Sequence, residues 1–516
     1  MPSCHCCPNK THPLVSRISH GFHHKTCFLS RERVFAIGFK PIGSSANLYT
    51  FSVLFIDIFE NSIVVWLVND DSPVTGKSFL VVGNNDELRL PNYLGQNLLS
   101  RPPSAASVSN STRLELEDME YLDSNKIFQV VLVLLILKWN SVRSLTVDVM
   151  DYGAVGDGVT DDSQAFEKTW EAACGSSSGS AVFNVPKGKK FLLNPTKFQG
   201  PCKSPNLNFM MEGEIIAPND ISYWRSHYVP TWLTFEQVNG LVVNGNGLFD
   251  GQGAVWWKLV PDPCQRPTAL GFSSCNNLEL SGLTHINSPR NHISINLCTN
   301  VTVASLHITA PETSHNTDGI DIASSVNVQI HDCDIGTGDD CIAINSGCKY
   351  INITGVNCGP GHGISVGSLG MEGSVAEVEE IHVQHCTFSG TQNGARIKTW
   401  PGGSGFARNI VFQDITLVDA FNPIFIDQYY CFPGQPCQNQ TSAVKVSDIW
   451  FNGFRGTSMS EAAVNLDCSK TVGCTQILLD HINITAGAQG MVVGSSCTNA
   501  YGRDSGSIPP VDCLLP

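Results

Sequence analysis

No stretch of the 516-residue chain is apolar for long enough to cross a bilayer. The runs Phe51–Ile58 and Ile63–Val68 are interrupted by Asp57 and Glu60, and the run from Ile127 to Leu137 covers 11 residues with Gln129 inside it. A spanning helix needs about 20 apolar residues, so stable membrane insertion is not expected. Basic charge is scarce as well: 31 Lys and Arg stand against 46 Asp and Glu, giving −15 formally and a pI near 5.4. That balance argues against nonspecific nucleic-acid binding, and a polyanionic ligand would need a local patch of cations. Helical periodicity is nearly missing from about Ala181 to Ile484, and no CxxC…CxxC zinc pattern occurs between Cys174 and Cys513.

Short β-like runs fill that region instead, among them Leu241–Val243, Leu278–Leu280, Ile293–Ile295, Val301–Val303, Val326–Val328, Ile351–Ile353, Ile381–Val383 and Ile410–Phe412. They recur at a coarse period in the twenties, between turns rich in Asn and Gly, which signals a solenoid. A β-propeller would need blades of about 40 residues or more with recurring aromatic signatures, and these are absent. The expected fold class is therefore all-β, a right-handed parallel β-helix. Sixteen of the 20 cysteines lie between Cys174 and Cys513. The spacings Cys431/Cys437 and Cys468/Cys474, with Cys341/Cys358 and Cys497/Cys513, suggest local loop staples formed in an oxidising compartment. Asn300, Asn352, Asn439 and Asn483 each open an N-x-S/T sequon, in agreement with secretion.

Residues 1–118 read as an atypical extension without repeat or motif; Cys4, His5, Cys6 and Cys7 cluster there but lack a second ligand pair for a metal. After Met119 the apolar run Ile127–Leu137 has the length of a signal-peptide core, with Ser141 and Ser144 beyond it. Translation is accordingly expected to start at Met119, with 119–147 signal-like and 148–516 the folded domain. Thr160–Ala173 reads as one amphipathic helix: Ala165, Phe166, Thr169, Trp170 and Ala173 recur at helical spacing, and Asp161, Asp162 and Ser163 can cap it. Ahead of so many strands, this short N-terminal helix is expected to cap the open end of the stack.

Chemistry concentrates in Ser314–Trp400, where Asn316-Thr317-Asp318, Gly338-Asp339-Asp340, Gly361-His362-Gly363 and Arg396-Ile397-Lys398 follow one another. Asp318 to Asp339 is 21 residues and Asp339 to His362 is 23. If each interval is one coil, the three positions stack on one face. Cleaving a glycosidic bond with inversion requires a proton for the leaving oxygen and a base that activates water. Asp318, Asp339 and Asp340 can supply both if repulsion and environment push their pKa values apart. Neighbours on a strand point to opposite faces, so Asp339 and Asp340 share a cleft only across a bulge or turn, which Gly336 and Gly338 favour. An Asp-Asp pair can equally be a solvated turn or a calcium ligand, but Asp318 one coil before and His362 one coil after weigh against that. The glycines flanking His362 are expected to leave space for a ligand. Arg396 and Lys398, on one strand face, can grip a carboxylate, which suits an acidic sugar.

The stretches Ser314–Ser324 (SHNTDGIDIAS), Gly336–Cys341 (GTGDDC), Gly359–Gly370 (GPGHGISVGSLG) and Ala395–Trp400 (ARIKTW) resemble the polygalacturonases, pectin-degrading glycoside hydrolases, particularly of the plant type. The likeness runs from about Asp148 to Pro516 and includes MDYGAVGDG at Met150, WLTFEQV at Trp232 and DGQG at Asp250. It implies a secreted, cell-wall enzyme, a monomer, hydrolysing α-1,4-linked galacturonan with inversion and with no metal or other cofactor. On the matching motifs, Asp339 looks like the general acid, and Asp318 with Asp340 like the pair that activates water. His362 is similar to the family histidine that supports the acid's protonation. Arg396 and Lys398 resemble the cations that bind the galacturonate carboxylate, with Tyr430 and Asn316 as further substrate contacts. Around Tyr430 the chain reads Asp427-Gln428-Tyr429-Tyr430, where a non-aromatic residue commonly precedes the tyrosine. A calcium-dependent pectate lyase, a xylogalacturonan or rhamnogalacturonan hydrolase, and an inactive pectin-binding protein are the alternatives.

Overall fold

The computed structural model describes residues 144–516 apart from 178, 227–228, 261–264 and 432–439, together with five strands ahead of them. Those five strands form a separate unit, an antiparallel meander of Val34–Pro41, Tyr49–Phe59, Ser62–Trp66, Leu80–Val82 and Leu88–Arg89. The apolar run Phe51–Ile58 falls in its second strand, and Ile63–Trp66 of the next run in its third. Cys4–Cys7 and the signal-like run Ile127–Leu137 lie outside the described residues.

In the second unit the chain winds as a right-handed coil that lays down one strand in each of three parallel sheets, of 11, 13 and 12 strands, as the short β runs predict. Parallel in-register pairing stacks equivalent residues about 4.8 Å apart, so each inward column must be filled by side chains that pack on their own kind. Branched aliphatics do this along Leu270, Ile293, Ile320, Ile342, Ile364 and Ile424, with Ala395 in the coil between the last two, all buried. Near the N-terminal end the columns become aromatic, with Phe183 stacked on Phe209 at 4.4 Å and Phe235 on Phe272 at 5.4 Å. The helix Ser163–Gly175 presses Phe166 against Phe191 and Trp170 against Phe198 and so covers that end. Its capping differs in detail from expectation. Asp161 receives the Ser163 amide at 3.0 Å, whereas the Asp162 carboxylate turns away to the amides of Val155 and Gly156.

The asparagine-rich turns also have a physical cause. Asn277, Asn300, Asn327, Tyr350, Glu380 and Asn409 occupy equivalent positions on successive coils, the first just before its strand and the others within theirs, each with φ between 54° and 60°. Asparagine tolerates this left-handed conformation better than most residues. Its side chain also links coils here: Asn300 donates to Asn277 at 3.2 Å and Asn327 to Asn300 at 2.8 Å.

Cysteines divide into two kinds. Disulfides join Cys341–Cys358, Cys468–Cys474 and Cys497–Cys513, and a fourth, Cys174–Cys202, ties the capping helix to the loop beside it. Cys431 is disulfide-bonded too, while Cys437 lies outside the described residues. By contrast, Cys275, Cys298, Cys333, Cys348 and Cys386 are buried free thiols, so loop stapling accounts for only part of the cysteine content.

One inward column carries a polar intruder. His285 is buried, stacks on Phe249 at 4.8 Å, and neither ring nitrogen finds a partner. Burial, with a smaller contribution from His292, lowers its pKa to about 3; burial likewise lowers that of His292 to about 4. Both groups fold as neutral rings. Their contribution to stability is therefore complete above the ordinary histidine pKa and is lost as pH falls from about 6.5 through these values, at roughly 1.4 kcal/mol per unit for each ring. The expected result is a melting temperature that drops steeply between about pH 6 and 4, and a shallower drop for His285→Phe, which keeps the stacking and has nothing to protonate. Equal pH slopes for the two proteins would refute the assignment.

Candidate active site

Four consecutive strands of the 11-stranded sheet, Ile320–Ala323, Ile342–Ile344, Ile364–Leu369 and Asn393–Thr399, carry the site. Ile320 pairs with Ile342 and Ile342 with Ile364, a step of 22 residues each time. Two residues upstream of each lie Asp318, Asp340 and His362, which makes these three the equivalent positions. Asp339 sits one place off the column, and this is why its intervals to Asp318 and His362 are unequal. It reaches the same face through the turn Thr337–Asp340 that follows the strand Asp334–Gly336. Its own Oδ1 receives the Asp340 amide at 2.8 Å and pins that turn.

Asp339 is held from both sides. His362 Nδ1 lies 3.1 Å from Oδ1, and the Asn316 amide and Nδ2 donate to Oδ2 at 3.2 and 3.4 Å. Asn316 can offer both groups because it adopts φ +63°, a strained conformation at a functional position. Burial alone would raise the Asp339 pKa, but the His362 hydrogen bond and charge, with Lys398 and the Asp340 amide, hold it well below the usual carboxylate range. Asp318 behaves oppositely. Burial, then the charges of Asp339, Asp321 and Asp340, push its pKa well up, opposed by Lys398. Beneath it His292 directs Nδ1–H to the Asp318 carbonyl at 3.2 Å.

Asp340 is fully buried and its carboxylate is paired on both oxygens. Arg396 Nη2 donates to Oδ1 at 2.5 Å, Ser365 Oγ to Oδ1 at 2.8 Å, and Lys398 Nζ to Oδ2 at 2.7 Å. A buried carboxylate requires such compensation. Burial disfavours the charge on both cations, and Asp340 outweighs it, so the pKa of each is raised. The cation pair anticipated for a ligand carboxylate is thus already engaged by a carboxylate of the protein. Tyr430 closes this side, its ring 5.2 Å from Lys398 Nζ and edge-on to Trp400. Asp339, Asp340 and His362 each offer a metal-ligating atom within 4.8 Å of the others, but the oxygens of Asp340 already accept from Arg396 and Lys398.

The glycines around His362 do not make room for a ligand. A Cβ on Gly361 would lie 2.7 Å from the Asp339 carbonyl oxygen, and one on Gly363, at φ +86°, 2.2 Å from that of Asn393. They are there because adjoining coils press against the backbone. Three residues absent from the sequence reading also belong to the site. Ser365 bridges Asp340 and Arg396, which donates through Nε at 2.8 Å. Its only sequence signal is that the coil spacing places it opposite Arg396. Asp321 and Arg290 are the others, in SHNTDGIDIAS and in the segment leading into Ile293–Asn296.

Residues 174–506 match the glycosyl hydrolases family 28. The sequence is 51% identical to a probable polygalacturonase of Arabidopsis thaliana over 377 residues, covering 72% of this chain and 81% of that protein. It is 46% identical to the polygalacturonase of Persea americana over 359 residues, 68% and 76% of the two chains. Among solved structures, the endo-xylogalacturonan hydrolase of Aspergillus tubingensis superposes with a TM-score of 0.60 at 27% identity, over 70% of this chain and all of that one.

Proposed function

Since the chain belongs to glycosyl hydrolases family 28, we propose that it hydrolyses the α-1,4 bonds between galacturonic acid residues of pectin, with inversion and without a metal. Its membership makes it a glycoside hydrolase of the polygalacturonase family. The observation that carries the finer reading is the meeting of Asp318, Asp339, Asp340 and His362, from three successive coils, with the buried pair Arg396 and Lys398.

In this reading Asp339 protonates the leaving oxygen, Asp318 and Asp340 activate the attacking water, and His362 supports the acid's protonation. Arg396, Lys398, Tyr430 and Asn316 contact the sugar. The unliganded protein distributes its protons differently, since Asp339 favours the ionised form and Asp318 the protonated one. Substrate reverses the order. A galacturonate carboxylate drawn to Arg396 and Lys398 adds a negative charge beside Asp339 and weakens the cations' hold on the cluster. Both effects raise the Asp339 pKa, and the carboxyls share their protons as one coupled group.

The protein is expected to release reducing ends from polygalacturonate with no rise in ultraviolet absorbance from unsaturated products, and chelator is expected to leave the rate unchanged. A chelator-sensitive rise in absorbance would instead identify a lyase. The superposable fungal xylogalacturonan hydrolase supports a second reading, in which a substituted galacturonan backbone is preferred. A faster rate on xylogalacturonan than on polygalacturonate would select it. Secretion to the cell wall fits the disulfides and the exposed sequon residues Asn300 and Asn483. A monomer suffices, because one chain supplies every residue of the proposed mechanism.

A further inference from the structure

The three carboxyls of the acid cluster are aimed by different means. Asp339 is held by His362 and Asn316, and Asp340 by Arg396, Lys398 and Ser365. The half-buried Asp318 carboxyl makes no hydrogen bond among the described residues. Its direction therefore depends on the main chain that carries it. The Asp318–Gly319 peptide is fixed from both neighbouring coils. The Gly319 amide donates to the Asp340 carbonyl at 2.9 Å, and the Asp318 carbonyl receives the His292 amide at 2.8 Å and His292 Nδ1 at 3.2 Å.

The surroundings of His292 admit one tautomer. Its Nδ1 faces a carbonyl, which only accepts, so the single proton of the neutral ring sits there. Nε2 is left to accept, and the Ser288 amide meets it at 3.3 Å. The Thr309 carbonyl, also 3.3 Å from Nε2, already receives the Asn287 amide at 2.9 Å and needs nothing from the ring. Ser288, itself buried, closes the turn by donating from Oγ to the Asn291 carbonyl at 2.8 Å. The other tautomer would set a bare nitrogen against the Asp318 carbonyl and an N–H against the Ser288 amide. We infer that His292 is the positioning residue for Asp318: held in the Nδ1–H form by the turn Ser288–Asn291, its ring sets the tilt of the Asp318–Gly319 peptide and, through it, the direction of the carboxyl. This rests on the reading that Asp318 activates water. Being buried, the ring acts through the main chain alone. A carboxyl without a bond of its own follows every change of that tilt, and a misplacement of about 1 Å is worth up to about 100-fold in rate.

The test compares His292→Asn with His292→Gln, whose amides reproduce the two ring nitrogens in turn. Asn places an N–H where Nδ1 lies and keeps the bond to Asp318, whereas Gln reaches the Nε2 position and keeps only Ser288. On polygalacturonate, His292→Gln is expected to lower kcat about tenfold with KM within a factor of about three, and His292→Asn to keep kcat within that factor. Filling of space alone predicts the reverse order, because Gln is closer to histidine in volume. Rates are taken per tetragalacturonate site titrated by calorimetry, so that partial unfolding lowers the number of sites and not kcat. His292→Leu, which also lacks the Nδ1–H, replaces His292→Gln should that variant not fold. The cycle with Asp318→Asn shows whether the ring acts through Asp318: added to that background, His292→Gln is expected to lower the residual rate no further. A wild-type kcat for His292→Gln, an Asn variant no more active than the Gln variant, or a tenfold loss that persists in the Asp318→Asn background overturns the inference alone. Full kcat in Asp318→Asn itself, or no hydrolysis by the wild type, removes the reading beneath it and the inference with it.

Discussion

Asp339→Asn is expected to lower kcat on polygalacturonate by about 10²- to 10⁴-fold, the usual worth of a positioned acid, while oligogalacturonate binding stays within a factor of a few. The amide keeps the shape of the carboxyl and its oxygen can still receive the Asp340 amide, now 2.8 Å away, so folding stability should barely change. An undiminished rate would remove Asp339 from the mechanism and revive a role in binding alone. Leaving-group chemistry gives a sharper check, because the unliganded protein places its proton on Asp318 rather than Asp339. A galacturonide whose aryl leaving group needs no proton should restore much of the rate to Asp339→Asn. Restoration in Asp318→Asn instead would exchange the two roles.

Asp340→Asn should fail in a second way. Beyond losing turnover, it leaves Arg396 and Lys398 in a site where they are only 8% and 7% exposed, with no carboxylate between them. Breaking a buried pair by removing one partner costs about 3–5 kcal/mol, because the remaining charges stay desolvated. The denaturant midpoint of Asp340→Asn should therefore fall well below that of Asp339→Asn, although the two residues adjoin. Equal midpoints would mean that the cations are neutralised by something other than Asp340. Lys398→Met in the Asp340→Asn background should recover part of the loss by removing one stranded charge.

The winding of the chain was readable from the sequence because parallel coils repeat their inward residues. Ile293, Ile320, Ile342 and Ile364 announce themselves at nearly constant spacing. The site's membership was readable for the same reason, since Asp318, Asp340 and His362 keep that 22-residue step. What resisted was pairing between outward-facing side chains. The spacing places Ser365 opposite Arg396 but does not reveal that Asp340 is buried and clamps both cations, because an outward row follows no hydrophobic rule. The glycines beside His362 misled for a related reason: a missing Cβ reads alike whether a ligand or the Asp339 and Asn393 carbonyls occupy the space. His285 escaped notice because a histidine in a β run ordinarily faces water, and here the stacking partner Phe249 overrides that preference.

The five buried thiols among the described residues determine how the protein is lost once it opens. Folded, Cys275, Cys298, Cys333, Cys348 and Cys386 sit buried inside the wall as free thiols. Unfolded, each becomes a nucleophile tethered to a chain that also carries disulfides, so exchange proceeds within the molecule and needs no outside oxidant. The native pairing is then one arrangement among many, and reclosure of the coil competes with scrambling. Durability in use is consequently a matter of how seldom the wall opens, a rate, and not of the balance between folded and unfolded chains.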